Sequence, residues 1–237
     1  MLFLNTTTGT CHKWLFAPKG SAFLWASADN QDAVKPVVTA TASNAGFVPD
    51  FLFQGTRDET AFCCVPTALT LYRGLGIERI RQHNLSLVAA ASTHLASIWN
   101  SEILAPPSLR GCFMAAVRLP LPFSTTGTNS TAVNAYMLSP VGHEVLHDLL
   151  QCNYCIEYVK LFNFGKRVWV RIACQIYNQL EDFVRLGEAV LNVIRQGTYM
   201  TEVLKRMAEK QTKEEDEDAS DQGEDAMAAG NWDGNHY

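Results

Sequence analysis

The stretch from Thr8 to Trp25 constrains the fold more than any other part of the chain. It reads TGTCHKWLFAPKGSAFLW, so Lys13 stands between a histidine and a tryptophan, just before a Pro-Lys-Gly turn. The apolar run from Gly20 to Ala26 that follows is bounded by turn residues, which is typical of a buried strand. A lysine in a partly apolar pocket gives up its proton more readily, and its neutral amine can attack a carbonyl. The stretch therefore predicts a reactive lysine just before a turn and a buried strand.

Helices and strands are predicted to alternate along the rest of the chain. Periodicity, Gly and Pro predict helices over 66–73, 78–99, 138–151 and 178–196, and strands over 112–119, 155–162 and 167–173. A loop rich in Pro, Ser, Thr and Gly is expected over 120–131. This order of elements indicates an α/β protein.

The same pattern predicts three segments. Pro106 and Pro107 mark the change from a first domain, residues 1–105, to a small α/β domain, residues 106–209. Residues 210–237 are rich in Glu and Asp and are expected to be a disordered acidic tail.

Three motifs, in order, resemble one known family. They are His12-Lys13-Trp14 with Ala17–Leu24, then Gln54–Asp58, then Val170–Ala173 with Tyr177 and Asn178. Together they resemble class V aminotransferase-type proteins, which are fold-type-I pyridoxal phosphate enzymes, and are most similar to the isopenicillin N epimerase-like and cysteine desulfhydrase-like branch. The similarity covers about residues 9 to 200. The fold it implies is the C-terminal part of a PLP-dependent transferase large domain followed by a small α/β domain.

The resemblance implies a role for each candidate residue. Lys13 would form an aldimine with pyridoxal 5'-phosphate and then transfer protons at the α-carbon of an amino-acid substrate. His12 would lie near the cofactor phosphate, and Gly55 and Thr56 would reach the phosphate of a neighbouring subunit in a homodimer. Arg171 would bind the substrate α-carboxylate bidentately.

Each of these residues also has a plainer interpretation. Lys13 could be a surface lysine after a loop. His12 could be satisfied by backbone groups, and Gly55 and Thr56 could form an ordinary turn. Arg171 could sit at a strand edge and point to water. The neighbouring Arg57 and Asp58 could be a structural pair, with the aspartate capping the following turn.

The resemblance also bears on activity. Family members carry a long segment before the lysine, so it implies that this chain is the C-terminal half of such an enzyme. The expected chemistry is epimerisation or cysteine desulfhydrase/lyase activity, and the chain alone is expected to be poorly active. The alternative is a catalytically inactive truncated homologue that associates with an N-terminal half or with a full-length partner.

Two other motifs suggest metal or thiol chemistry. His143, Glu144 and His147 form HExxH, but the extended zinc motif is absent, and we expect no metal site. Cys152 and Cys155 form a lone CxxC, which is more typical of two free thiols. Cys112 is the nearest candidate for a sulfur-accepting cysteine, but it lacks the expected neighbours, so desulfurase activity is not predicted.

Composition narrows the classes of partner. The chain is 47% hydrophobic with a net charge of −5, and nine of its 24 acids follow residue 213, where no Lys or Arg occurs. The remaining body is nearly neutral, with no patch that predicts nucleic-acid binding and no apolar run that predicts a membrane span. Seven dispersed cysteines favour a reducing compartment, so we expect a cytoplasmic protein.

Overall fold

The computed structural model describes residues 6–52, 55–121, 130–157, 160–210 and 212. The chain divides into two compact units, at residues 1–82 and 83–237. Nearly all of the predicted acidic tail and most of the predicted loop over 120–131 lie outside the described residues. The boundary predicted after residue 105 stays a prediction.

The first unit begins with a two-stranded ribbon and continues with short helices. Its elements are β1 (Thr6–Thr10), α1 (Cys11–Trp14), β2 (Ala22–Ala26), a 3-10 helix (Ala28–Ala33), α2 (Phe47–Leu52), α3 (Thr60–Cys63), α4 (Val65–Leu75) and the start of α5 (Ile77–Ile98). Strands β1 and β2 pair antiparallel, with Thr8 opposite Leu24. Gly76, at a φ of 91°, ends α4 in a backbone conformation that favours glycine.

A small apolar cluster fixes the segment that carries the lysine. Cys11, Ala17 and Ala68 are buried together, and Leu15 and Val65 pack against them. Cys11 and Ala17 come from the segment between the two strands, whereas Val65 and Ala68 belong to α4. The cluster therefore holds the α1 segment against α4.

The strand predicted over 20–26 forms, but it is not buried. β2 exposes 46% of Phe23, 37% of Leu24 and 51% of Trp25. The prediction of a buried strand was therefore wrong for the described chain, because only β1 pairs with β2 and no described layer covers it. Its apolar side chains lie on both faces of a ribbon that is open to its surroundings.

The second unit packs helices on a three-stranded sheet. After most of α5 come a 3-10 helix (Pro107–Leu109), β3 (Met114–Arg118), α6 (Ser130–Met137), α7 (Pro140–Tyr154), β4 (Lys160–Phe164), β5 (Arg167–Ala173), α8 (Leu180–Arg195) and α9 (residues 198–210). The sheet has the order β3-β5-β4, and both pairs are antiparallel. The mixed helices and strands confirm the α/β class.

A tight turn sets the register of the β4–β5 hairpin. Gly165 and Lys166 have φ values of 57° and 58°, as in a two-residue type I′ turn. Phe164 therefore pairs with Arg167, and every later pair along the hairpin follows from that register. β4 begins at Lys160 rather than at the predicted residue 155, because α7 runs to Tyr154 and residue 155 adopts a left-handed cap conformation.

The core of the second unit lies between the sheet and its helices. α8 buries a stripe of apolar side chains, and the backbone N–H of Gln179 donates to the Asp182 carboxylate at 3.0 Å as the helix begins. α5 and α8 approach closely at Gly187, where an added Cβ would lie 2.4 Å from Ile98 Cδ1. Trp99 Nε1 donates to the Gly187 carbonyl at 3.1 Å. α5 and α8 confirm the helices predicted over 78–99 and 178–196, whereas α6 was not predicted.

Candidate active site

Lys13 lies on a one-turn helix that backbone hydrogen bonds hold in place. The N–H of Cys11 donates to the carbonyl of Ser21 at 3.0 Å, and the N–H of Ala17 donates to the carbonyl of Cys11 at 3.1 Å. Ser21 is buried, and its hydroxyl donates to the carbonyl of Pro18 at 3.3 Å. These bonds fix α1 and the following turn, so the exposed Lys13 side chain starts from a defined backbone position.

Lys13 lines an open pocket of about 710 Å³. The lining residues are Thr8, Gly9, Thr10, Lys13, Trp14, Leu15, Ala22 and Phe23. This volume lies within the usual range for cofactor and small-molecule sites, which are mostly apolar with a few polar groups. The lining residues include one lysine, two threonines and two aromatic residues.

His12 contributes an unsatisfied buried atom next to the lysine. The Nδ1 atom of its half-buried ring has no hydrogen-bond partner among the described residues. A buried polar atom without a partner costs free energy, so this ring nitrogen is an unexplained polar group in the residue next to Lys13. The structure therefore does not bear out the alternative in which backbone groups satisfy this histidine.

Thr8 and Thr10 are pocket residues that the sequence reasoning missed. Alternation along β1 puts their side chains on one face of the strand, and both are exposed. Their hydroxyls can donate to phosphate or carboxylate oxygens. The signal in the sequence was the repeat of threonine at every second position before the lysine.

Phe23 forms an aromatic wall that depends on a glycine. A Cβ added at Gly9 would lie 2.5 Å from Phe23 Cε1. The two residues are direct partners across the ribbon, so the ring packs over the glycine backbone. Only a residue without a side chain allows this packing.

Gly55 and Thr56 do not line the described pocket. Both are exposed, and Gly55 has a φ of 109° with no atom within 4 Å of an added Cβ. Nearby, Arg57 pairs with Glu59 at 2.8 Å, and the Asp58 carboxylate accepts the N–H of Thr60 at 2.8 Å. Hydrogen bonds from the Thr60 hydroxyl and, to a lesser extent, from this N–H lower the pKa of Asp58. Asp58 therefore stabilises the following turn, as one alternative held, and Arg57 has an ion pair with Glu59.

Arg171 lies in the second unit, in the middle of β5. Its side chain is exposed, and the residues directly opposite it are Lys160 on β4 and Ala116 on β3. Val170 and Ile172 on either side of it are buried in the core. Arg171 thus projects from the sheet face opposite the core, where an anion can reach it.

The HExxH histidines have separate protein partners. His143 Nε2 lies 3.0 Å from Asn163 Oδ1, and His147 Nδ1 lies 3.5 Å from an oxygen of Asp148. Burial lowers the pKa of His143, although its hydrogen bond to Asn163 acts in the opposite direction. Within the described ranges, no three His, Cys, Asp or Glu side chains are grouped to hold a metal ion.

The seven cysteines are all free thiols. Cys152 and Cys155 of the CxxC motif are exposed, and so is Cys112, whose thiol donates to the carbonyl of Met114 at 3.2 Å. Burial raises the pKa of Cys174 to about 12, so this thiol stays protonated near neutral pH.

In the described parts of the chain, no helix is both long and apolar enough to cross a membrane.

Two solved structures share this fold. A cysteine desulfurase of Thermococcus onnurineus superposes with a TM-score of 0.53 at 16% identity, and a cysteine desulfurase of Escherichia coli does so with a TM-score of 0.55 at 18% identity. Each match covers 81% of this chain and 47% of the other. The fold is therefore that of part of a cysteine desulfurase-type transferase.

Sequence comparison finds relatives among cysteine desulfhydrase-like proteins and an isopenicillin N epimerase. An L-cysteine desulfhydrase-like protein of Epichloe uncinata is 26% identical over 217 residues, covering 76% of this chain and 47% of its own length. A probable chloroplastic L-cysteine desulfhydrase of Arabidopsis thaliana is 28% identical, covering 80% of this chain and 40% of its own. The isopenicillin N epimerase of Amycolatopsis lactamdurans is 30% identical, covering 50% and 34%. No protein-family model matches the chain.

These comparisons confirm the resemblance drawn from the three motifs. The chain is similar to L-cysteine desulfhydrase-like proteins and to an isopenicillin N epimerase, which is the branch of class V aminotransferase-type proteins that the motifs resemble. It spans about half the length, or less, of the curated relatives it matches.

Proposed function

We propose that this chain carries the cofactor lysine of a pyridoxal phosphate enzyme that acts on amino acids, of the cysteine desulfhydrase/lyase or epimerase type. The observation that carries the proposal is the pocket that Lys13 lines, with the unpaired buried Nδ1 of His12 in the adjacent residue. The names of the relatives support the same class of chemistry.

The residues of the pocket fit the chemistry of this cofactor. Lys13 supplies an exposed primary amine that can hold an aldehyde group and later move a proton at the substrate α-carbon. Thr8 and Thr10 line the pocket and would supply hydroxyls for the phosphate, and Trp14 would supply an apolar wall. His12 does not line the pocket, but as the neighbour of Lys13 it would supply a ring nitrogen near the phosphate. Pyridoxal phosphate, when bound, supplies an electron sink that labilises bonds at the α-carbon.

Two further assignments belong to this proposal. Gly55 and Thr56 would contact the phosphate of a second subunit. Both residues are exposed, so a second subunit can reach them. Arg171 would bind the substrate α-carboxylate, because its exposed guanidinium offers paired N–H donors. The cytoplasmic location predicted from the dispersed cysteines also stays a prediction.

Calorimetric titration of the full chain with pyridoxal phosphate tests the proposal. We expect Lys13→Ala to weaken binding by more than about tenfold, since the covalent attachment is lost. Lys19→Ala is the matched control, because Lys19 is an exposed lysine in the turn that follows α1 and does not line the pocket. Equal affinities for the wild type and Lys13→Ala would contradict the proposal.

A second titration isolates the role of His12. His12→Ala should weaken binding of pyridoxal phosphate by about tenfold but leave binding of pyridoxal, which lacks the phosphate, unchanged, because hydrogen bonds to charged groups are the strong ones. If both ligands lose affinity equally, His12 acts on the pocket as a whole and not on the phosphate.

A second candidate function is association without catalysis. The β1–β2 ribbon exposes Phe23, Leu24 and Trp25, and isolated two-stranded ribbons are marginally stable in water. Strand edges and exposed apolar side chains favour pairing with another chain. We propose a second copy of this chain as the partner that covers the ribbon.

Light scattering coupled to gel filtration tests this association. We expect a dimer for the wild type and a shift toward monomer for Trp25→Lys, since a charge cannot be buried in an apolar contact at low cost. Leu109→Lys is the control, because Leu109 is also highly exposed but lies on a 3-10 helix of the second unit. A wild type that stays monomeric across the accessible concentrations would refute self-association through the ribbon.

A further inference from the structure

We propose that Lys160 and Arg171 together form a binding site for a small dicarboxylate, so that the substrate carries a second carboxylate besides the one next to its amine. The site itself is inferred from the geometry and charge of the sheet. Its assignment as a substrate site rests on the proposed function.

The hairpin register places the two cations side by side. Lys160 on β4 is directly opposite Arg171 on β5, and both side chains are exposed. Side chains that are direct partners across two antiparallel strands lie on the same face, with Cβ atoms about 5 Å apart. Because Leu161 and Val170 beside them are buried, the two cations share the face that points away from the core.

No acid on this sheet compensates the two charges. The strands β3, β4 and β5 contain four Lys or Arg residues and no Asp or Glu. Arg118 is paired with Glu102 at 3.2 Å, whereas neither Lys160 nor Arg171 has an ion pair with any described residue. Like charges directly opposite each other destabilise a sheet. A dianion between the two side chains would remove this repulsion.

Two residues that flank Arg171, one on β3 and one on β5, have small side chains. Ala116 is the partner of Arg171 on β3, and Ala173 follows two residues later on the same face. These two positions on the face of Arg171 therefore carry small side chains, and Met114 on β3 is the partner of Ala173. Trp169, on the other side of Arg171, is almost fully buried.

The two cations suit different parts of one ligand. The planar guanidinium of Arg171 can hold one carboxylate bidentately, and the ammonium of Lys160 acts as a point charge for a second carboxylate. The alanines would contact the carbon chain between the carboxylates. A monocarboxylate would satisfy only one of the two cations, so the site should prefer a dicarboxylate.

Titration of the full chain with succinate and with acetate, at one fixed salt concentration, tests the proposal. We expect succinate to bind at least about tenfold more tightly than acetate, and Lys160→Gln to abolish that preference. Arg171→Gln should weaken the binding of both ligands. Lys166→Gln is the matched control, since it removes the same charge from the turn of the same hairpin.

Three results would overturn the proposal. They are equal binding of succinate and acetate by the wild type, an unchanged preference in Lys160→Gln, and an equal loss in Lys166→Gln, which would indicate a general charge effect. Circular dichroism of each variant shows whether the fold is kept.

The outcome is separable from that of the proposed function. Succinate binding requires neither Lys13 nor pyridoxal phosphate, so Lys13→Ala should bind succinate as the wild type does. A chain that prefers succinate but does not bind the cofactor would keep the dicarboxylate site and lose the proposed enzyme class. A chain that binds the cofactor without preferring succinate would keep the proposed enzyme class and lose the dicarboxylate site.

Discussion

Replacing Gly142 with alanine should strongly destabilise the second unit. Gly142 lies in the first turn of α7, directly after the junction with α6. A Cβ at this position would lie 2.4 Å from the carbonyl oxygen of Tyr136, and 2.7 Å and 2.8 Å from the carbonyl oxygen and Cα of Met137. These are backbone atoms, which cannot rotate out of the way. The junction must therefore open.

Opening the junction disturbs two hydrogen bonds. The N–H of Gly142 donates to Ser139 Oγ at 3.3 Å, and the carbonyl of Gly142 accepts from Tyr199 Oη at 3.3 Å. Overpacking costs about 1–3 kcal/mol, and the loss of a helix cap or of a hydrogen bond costs about 1 kcal/mol each. The higher helix propensity of alanine returns about 1 kcal/mol. The net expected loss in the free energy of unfolding is about 2–4 kcal/mol.

Urea denaturation followed by circular dichroism measures this loss. Gly74→Ala is the control of opposite sign, because an added Cβ at Gly74 in α4 meets nothing within 4 Å. That substitution should stabilise the first unit by about 0.5–1 kcal/mol. A Gly142→Ala variant as stable as the wild type would refute the account of the α6–α7 junction.

Three further predictions follow from buried groups. Asn84 is 0% exposed, and neither polar atom of its side chain has a hydrogen-bond partner among the described residues. Asn84→Leu should therefore raise the free energy of unfolding by about 1–3 kcal/mol. A urea midpoint equal to or lower than that of the wild type would contradict this. Burial lowers the pKa of His143, so the unfolded chain binds its proton at higher pH, and stability should fall as the pH drops below about 6.5. His143→Gln should flatten that part of the profile, and an unchanged slope would exclude His143 as its source. Cys174 should resist alkylation in the native chain, whereas the exposed Cys152 should react quickly, and mass spectrometry of labelled peptides compares the two.

The long helices could be predicted from the sequence because their periodicity is sustained over many residues. α5 and α8 begin and end within about two residues of the predicted bounds. α1 is a single turn and carries no periodic signal, so the helix that holds Lys13 could not be predicted. α6 was not predicted, because the loop predicted from its Pro, Ser, Thr and Gly content was extended to residue 131, past the start of the helix.

The candidate residues were predictable from the motifs, but their surroundings were not. The motif around Lys13 says nothing about Thr8 and Thr10, which reach the pocket only because β1 alternates its side chains. The pairing of Lys160 with Arg171 depends on hairpin register, and the strand predicted over 155–162 was displaced from the observed β4. The exposure of β2 follows from which strands pair with it, which local sequence does not specify.

Trapping the cofactor with borohydride is the most direct test of the central claim. The full chain is mixed with pyridoxal phosphate, reduced, digested and mapped by mass spectrometry, with Lys13→Ala and Lys19→Ala treated in parallel. A single dominant phosphopyridoxyl adduct at Lys13, lost in Lys13→Ala and kept in Lys19→Ala, is the result the account predicts. Labelling spread over several lysines, and unchanged in Lys13→Ala, would contradict the assignment of Lys13 as the cofactor lysine.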